Sequence, residues 1–164
     1  MKLIIQNNLI SATATDAYQP TGNEQAVIPA PTGFDQTKMA YYTYANGTVT
    51  LNTPLLEYEA LLAGGITLTS TGTPALNGTY STTPTAMVNT AGIATSIANG
   101  LGLPGGGATF NYRDSSGAAH AFDAAHFLPF AAAVRDFVYH CDEAMATIAA
   151  GGTATFPSNK ITIA

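Results

Sequence analysis

The chain is 164 residues long, 46% hydrophobic but only 9% charged, with a formal net charge of −5. Its five basic residues, Lys2, Lys38, Arg113, Arg135 and Lys160, are scattered, which excludes the clustered cationic patch that nucleic acid or an anionic bilayer requires. No apolar run reaches the roughly 18 residues of a membrane-spanning helix, so neither a nucleic-acid partner nor membrane insertion is expected.

In chain order, residues 2–15 read as strand, turn and strand: Lys2 to Ile5 is apolar, Asn7-Asn8 is turn chemistry and Leu9 to Thr15 alternates. The opening stretch turns polar too soon for the apolar core of about 7–15 residues that a secretory signal carries, so synthesis in a cytosol is expected. A polar, proline-spaced stretch follows at residues 19–23, then Val27-Ile28, which the nearby Pro29 and Pro31 suit to a sheet edge. Residues 41–51 carry the clearest hairpin signal. Tyr41, Tyr42 and Tyr44 precede Asn46-Gly47, and Thr48 to Leu51 follow it; Asn-Gly suits a two-residue turn because both residues tolerate positive φ.

Residues 53–64 read as a short helix, with Thr53 as cap, Pro54 in the first turn and Gly64 as the left-handed stop. Leu55, Tyr58 and Leu62 fall on one face of it. Ile66 to Thr69 alternates as a strand, Asn77-Gly78 reads as a turn, and Thr79-Tyr80 resumes the strand pattern. Thr83-Pro84 opens a second helix with Met87, Val88, Ala91, Ala94 and Ile97/Ala98 apolar, and Asn99-Gly100 closes it. Residues 60 to 112 contain no Asp, Glu, Lys or Arg. A soluble surface is ordinarily about a quarter charged, so a third of the chain without charge points to surface covered by other protein or hydrated through hydroxyls and amides, both habits of proteins that live in assemblies.

Pro104-Gly105-Gly106-Gly107 reads as a joint. After it come a hairpin turning at Asp114-Ser115-Ser116-Gly117 and a helix capped by Asp123 that runs to about Ala150, closed by Gly151-Gly152. Phe127, Phe130, Val134, Phe137, Cys141, Ala144/Met145 and Ile148 recur at threes and fours along it. The stripe is longer than the hairpin and the final strand Ile161-Thr162-Ile163 can cover. Phe127, Phe130, Val134, Phe137, Cys141 and Ile148 are therefore expected to meet a partner surface. Pro129 is expected to kink or re-start the helix. The pattern predicts an α+β chain: a β unit over 1–52, an uncharged helix–hairpin–helix segment over 53–103, and a hairpin–long helix–strand module over 104–164.

The C-terminal block resembles a known module. Its carriers are Pro104-Gly105-Gly106-Gly107, the hairpin Thr109 to Gly117 with His120-Ala121-Phe122, the aromatic-rich helix, and the ending Phe156-Pro157-Ser158-Asn159-Lys160-Ile161-Thr162-Ile163. It is similar to a C-terminal domain of unknown function in small proteins encoded beside bacteriophage tail-fibre genes. Leu3 to Ile10, Ala26 to Pro31 and Phe34-Asp35 also resemble the opening of such proteins. The resemblance implies a non-enzymatic structural protein of the phage tail, at the baseplate or at the fibre attachment. It implies residence in the virion, other tail or tail-fibre proteins as partners, and self-association, a trimer by the symmetry of fibres in those systems. A tail-fibre assembly chaperone absent from the virion and a tail-tip glycan hydrolase are the alternative readings.

The residues offer little chemistry. His120, Asp123 and His126 supply metal-ligating types, but their spacing spans a strand-to-helix junction, and hairpin polarity with a helix cap is the plainer reading. His140 and Cys141 are neighbours, so on a helix they point about 100° apart. Glu57 and Glu59 likewise diverge. The glycines at 105–107 lack the Lys-Ser/Thr of a phosphate loop. Asn46-Gly47-Thr48 and Asn77-Gly78-Thr79 match a glycosylation acceptor pattern but read as turns. The tyrosines at 41–44 suit either a surface that faces sugars or a protein, or cross-strand packing, with packing the simpler use. No catalytic residue, metal or cofactor is expected, and the single cysteine has no partner for an internal disulfide.

Overall fold

The computed structural model describes residues 1–7, 9–19 and 26–164. Asn8 of the first expected turn and residues 20–23 of the proline-spaced stretch lie outside them. The chain is α+β and forms two compact units, Met1–Leu56 and Glu57–Ala164.

The first unit is a five-stranded antiparallel sheet. Strands β1 (Lys2–Gln6), β2 (Leu9–Ala14), β3 (Ala26–Pro29), β4 (Tyr42–Ala45) and β5 (Thr48–Leu51) lie in the order β3-β1-β2-β4-β5. The proline-flanked β3 takes an edge, as its composition requires. Asn46 (φ 51°) and Gly47 (φ 82°) make the β4–β5 turn with two positive φ values, the geometry that matches strand twist. Leu3, Ile5, Ile10 and Tyr42 form the core, and Tyr44, Val49 and Phe34 pack on it. Tyr42 is spent on packing: its ring lies 4.7 Å from that of Phe34, and its hydroxyl accepts the Asp35 N–H at 3.1 Å.

Helix α1 (Thr53–Gly64) follows. Its ends are shifted by one residue from the sequence expectation. The Asn52 side chain, rather than Thr53, accepts a first-turn amide, that of Leu55 at 3.1 Å. The left-handed stop is Gly65 (φ 71°), not Gly64. Asn caps at least as well as Thr, and of two adjacent glycines the one beyond the last turn takes the αL position.

The second unit holds a mixed sheet β10-β6-β7, made of β6 (Ile66–Ser70), β7 (Gly78–Tyr80) and β10 (Lys160–Ile163), and a hairpin of β8 (Phe110–Arg113) with β9 (Ala119–Phe122). Strand β10 returns parallel to β6, pairing Ile161 with Leu68 and Ile163 with Ser70. The expected Asn77-Gly78 turn is different in kind. A 3₁₀ turn at Pro74–Leu76 reverses the chain, Gly78 is already in β7, and the Asn77 side chain accepts the Ser70 N–H at 2.7 Å. Two helices complete the unit, α2 (Pro84–Ala98) and α3 (Ala124–Ala149). Helix α3 runs through Pro129 without the expected re-start. Only the bond from residue 129 to Ala125 is lost, and the buried Phe127 and Phe130 on either side hold the helix against the core.

Residues from 53–103 and 104–164 share this one core. Ile66, Leu68, Leu76 and Tyr80 pack with Phe122, Phe127, Phe130, Val134, Phe137, Cys141 and Ile163. The joint at Pro104–Gly106 therefore does not divide two compact units. The centre is aromatic: Tyr80 lies 4.9 Å from Phe130, and Phe110 lies 5.0 Å from Phe127, both edge to face, the orientation that ring quadrupoles favour. The buried Tyr80 hydroxyl donates to the Leu76 carbonyl at 2.6 Å.

Candidate assembly surface

Helix α2 forms because Thr83 caps it, accepting the Ala86 N–H at 3.4 Å, and Pro84 opens it; Gly100 (φ 73°) lies just past its end. One face, with Met87, Ile93, Ala94 and Ile97, packs against the core. Thr90 fixes the helix in place. It is 4% exposed, donates to the Ala86 carbonyl at 2.8 Å, and shares a 2.7 Å hydrogen bond with the Tyr112 hydroxyl of β8.

Between α2 and α3 lies an open groove of about 450 Å³. Thr90, Ala94, Ala131 and Val134 are its innermost residues; Ala91, Thr95 and Ala98 edge it on α2, and Leu128, Ala132 and Arg135 on α3. Small side chains on both helices keep it open. Among the described residues that line it, Arg135 alone is charged, and its guanidinium lies 2.7 Å from the Asp136 carboxylate. Large apolar side chains stand exposed on α2, just after it, and on α3: Val88 at 71%, Leu101 at 78% and Leu128 at 38%. Val88 had read as one of the apolar positions of α2, but it points away from the core.

Apart from Val134, which floors the groove, the α3 stripe is not this surface. Phe127, Phe130, Phe137 and Cys141 are all at most 4% exposed within the single chain, so the expectation that they meet a partner is corrected; Val134 is itself 1% exposed. The length of the stripe misled because β6, β7, α1 and α2 add cover to that of the hairpin and β10. Met145 and Ile148, near the end of α3, are half-buried rather than fully enclosed.

The three candidate ligands separate into two clusters. His126 Nδ1 lies 2.7 Å from Asp123 Oδ1, and its Nε2 lies 3.1 Å from Thr73 Oγ1. His120 Nδ1 lies 2.7 Å from the Ala75 carbonyl, and its Nε2 lies 3.2 Å from Asp114 Oδ2. Among the described residues no three His, Cys, Asp or Glu side chains are grouped to hold a metal. Asp123 caps α3 by accepting the His126 N–H at 2.9 Å, and that bond is the main cause of its lowered pKa. Burial, then the nearby Asp142, pushes the Cys141 thiol up to about 11, while His140 turns to Glu143 at 3.1 Å. These contacts lock elements together: His120 ties β9 to the 3₁₀ turn before β7, and His126 ties α3 to Thr73. Sequence spacing gave no sign of either tie, since Thr73 and Ala75 are about fifty residues distant.

No family model, curated protein or solved structure matches the chain.

Proposed function

We propose that this chain is a non-enzymatic structural component of a bacteriophage tail, at the baseplate or fibre attachment, and that it works by protein–protein assembly. The observation that carries the assembly role is the α2–α3 groove. It is an open surface lined by small and apolar side chains and one charged residue, Arg135, with Val88, Leu101 and Leu128 exposed on and beside its helices, inside a chain whose residues 60 to 112 have no charge at all. An apolar groove with exposed apolar side chains on and beside its walls suits an interaction site. The tail setting rests on the resemblance of the C-terminal block and the opening residues to small proteins encoded beside tail-fibre genes.

Mass spectrometry of purified particles tests the reading. A structural component is present at stoichiometric level in the finished particle. Presence only in infected-cell lysate overturns that role in favour of an assembly chaperone. Degradation of host surface polysaccharide by the purified protein overturns the non-enzymatic part.

A further inference from the structure

We infer that the α2–α3 groove is the self-association site of this chain, filled by the exposed face of α2 from a second copy. The inference rests on the assembly role proposed above and names the partner of the same surface.

The charge pattern selects the occupant. A partner helix with the usual share of Lys, Glu or Asp would bring charge into a groove whose one charged side chain, Arg135, is already paired with Asp136. Burying a charge without a counter-charge is strongly unfavourable. The face that enters must therefore be uncharged over a helix length. It must also be narrow enough to approach small-residue walls, and it needs an apolar projection to fill the space between them. Helix α2 meets each condition. Its fifteen residues, PTAMVNTAGIATSIA, contain no charged side chain. Its outward positions Ala91, Gly92 and Thr95 are small, and Val88 projects from it at 71% exposure.

The charge of the whole chain points to the same face. Two copies each carrying −5 repel one another over most of their surfaces; the α2 side presents no carboxylate of its own. Because α2 forms one wall of the groove and also supplies the inserting residue, knob and hole lie on one patch. A two-fold pair can then form without a second specialised surface.

Light scattering coupled to size exclusion is the test, run on the full chain and on Val88→Asp and Ala91→Glu. Both positions are solvent-exposed in the single chain, so each variant should keep the parent's far-UV circular dichroism, while its melting temperature falls only by the stabilisation that association supplied. The parent is expected at a small integer multiple of 16.8 kDa. Each variant should weaken association by about tenfold or more, as expected when a buried contact is replaced by an unpaired charge. A monomeric parent overturns the inference, as does an oligomer that survives both substitutions unchanged. So does a parent that stays monomeric and instead binds a different tail protein through this groove. The two readings fail separately: a monomer found in purified particles leaves the structural role standing, and an oligomer absent from them leaves the self-association standing.

Discussion

Asp114 shows how much one side chain can organise. The Ser116 hydroxyl at 2.7 Å is the main cause that holds its carboxyl at about 2, against an ordinary 3.8; His120 and the Ala118 and Ser116 amides add to the effect, and partial burial opposes it. A carboxyl with a depressed folded pKa stabilises the fold above its unfolded pKa and loses that contribution as pH falls through the folded value. The β8–β9 turn is therefore expected to hold at neutral pH and to loosen between about pH 4 and pH 2. Hydrogen-exchange protection of the Ser116 and Ala118 amides, taken relative to the intrinsic exchange rate at each pH, should fall over that window. In Asp114→Ala both amides should exchange fast at every pH, and unchanged protection in that variant would show that the carboxylate does not hold the turn. Gly65 gives a second residue-scale prediction. At φ 71° an added Cβ would overlap the Tyr80 carbonyl oxygen, and Tyr80 is fully buried. Gly65→Ala combines backbone strain with a clash against backbone, so its melting temperature should fall well below that of Gly64→Ala, where an added Cβ meets nothing.

At the scale of elements, α3 organises the second unit. Phe137 is 4% exposed on its core face, whereas Asp136 faces solvent beside Arg135. Phe137→Ala should cost about 3–5 kcal/mol, close to the whole stability of a small domain. Asp136→Ala removes an exposed pair, worth about 1 kcal/mol or less. Denaturant titrations of the two variants should differ accordingly, and equal midpoints would mean that the stripe is not the core. Elements marked by local chemistry were legible in the sequence. Asn46-Gly47 placed one hairpin, Thr83-Pro84 with Asn99-Gly100 bounded α2, and Asp123 with Gly151 bounded α3. Features set by distant partners were not legible. Nothing in Ile161-Thr162-Ile163 says that it pairs parallel to β6, more than ninety residues earlier. Nor does the periodicity of α3 tell a stripe buried by its own chain from one buried by another; that depends on how many other elements converge on it. The groove was missed for a related reason. Its lining residues are ordinary Ala and Thr positions, and only the packing of α2 on α3 makes them a surface.

At the scale of the molecule, the described residues form two hydrophobic core clusters with no shared member: Leu3, Ile5, Ile10 and Tyr42 in one, and the aromatic group around Tyr80 and Phe130 in the other. Each unit therefore has an apolar core of its own, which is the physical condition for folding as a unit. The first unit is small, and a domain of its size buries a modest fraction of its surface, so it should be the less stable of the two. Leu3 is fully buried there, and Leu3→Ala should cost about 2–5 kcal/mol. That loss is expected to appear in one place. Amides of β1 and β2 should lose hydrogen-exchange protection, while those of α3 and β6 keep theirs. Phe130→Ala should do the reverse, releasing α3 and β6 and sparing β1 and β2. Loss of protection across the whole chain in either variant would mean that the two cores fold as one cooperative block and that the division into units has no energetic counterpart.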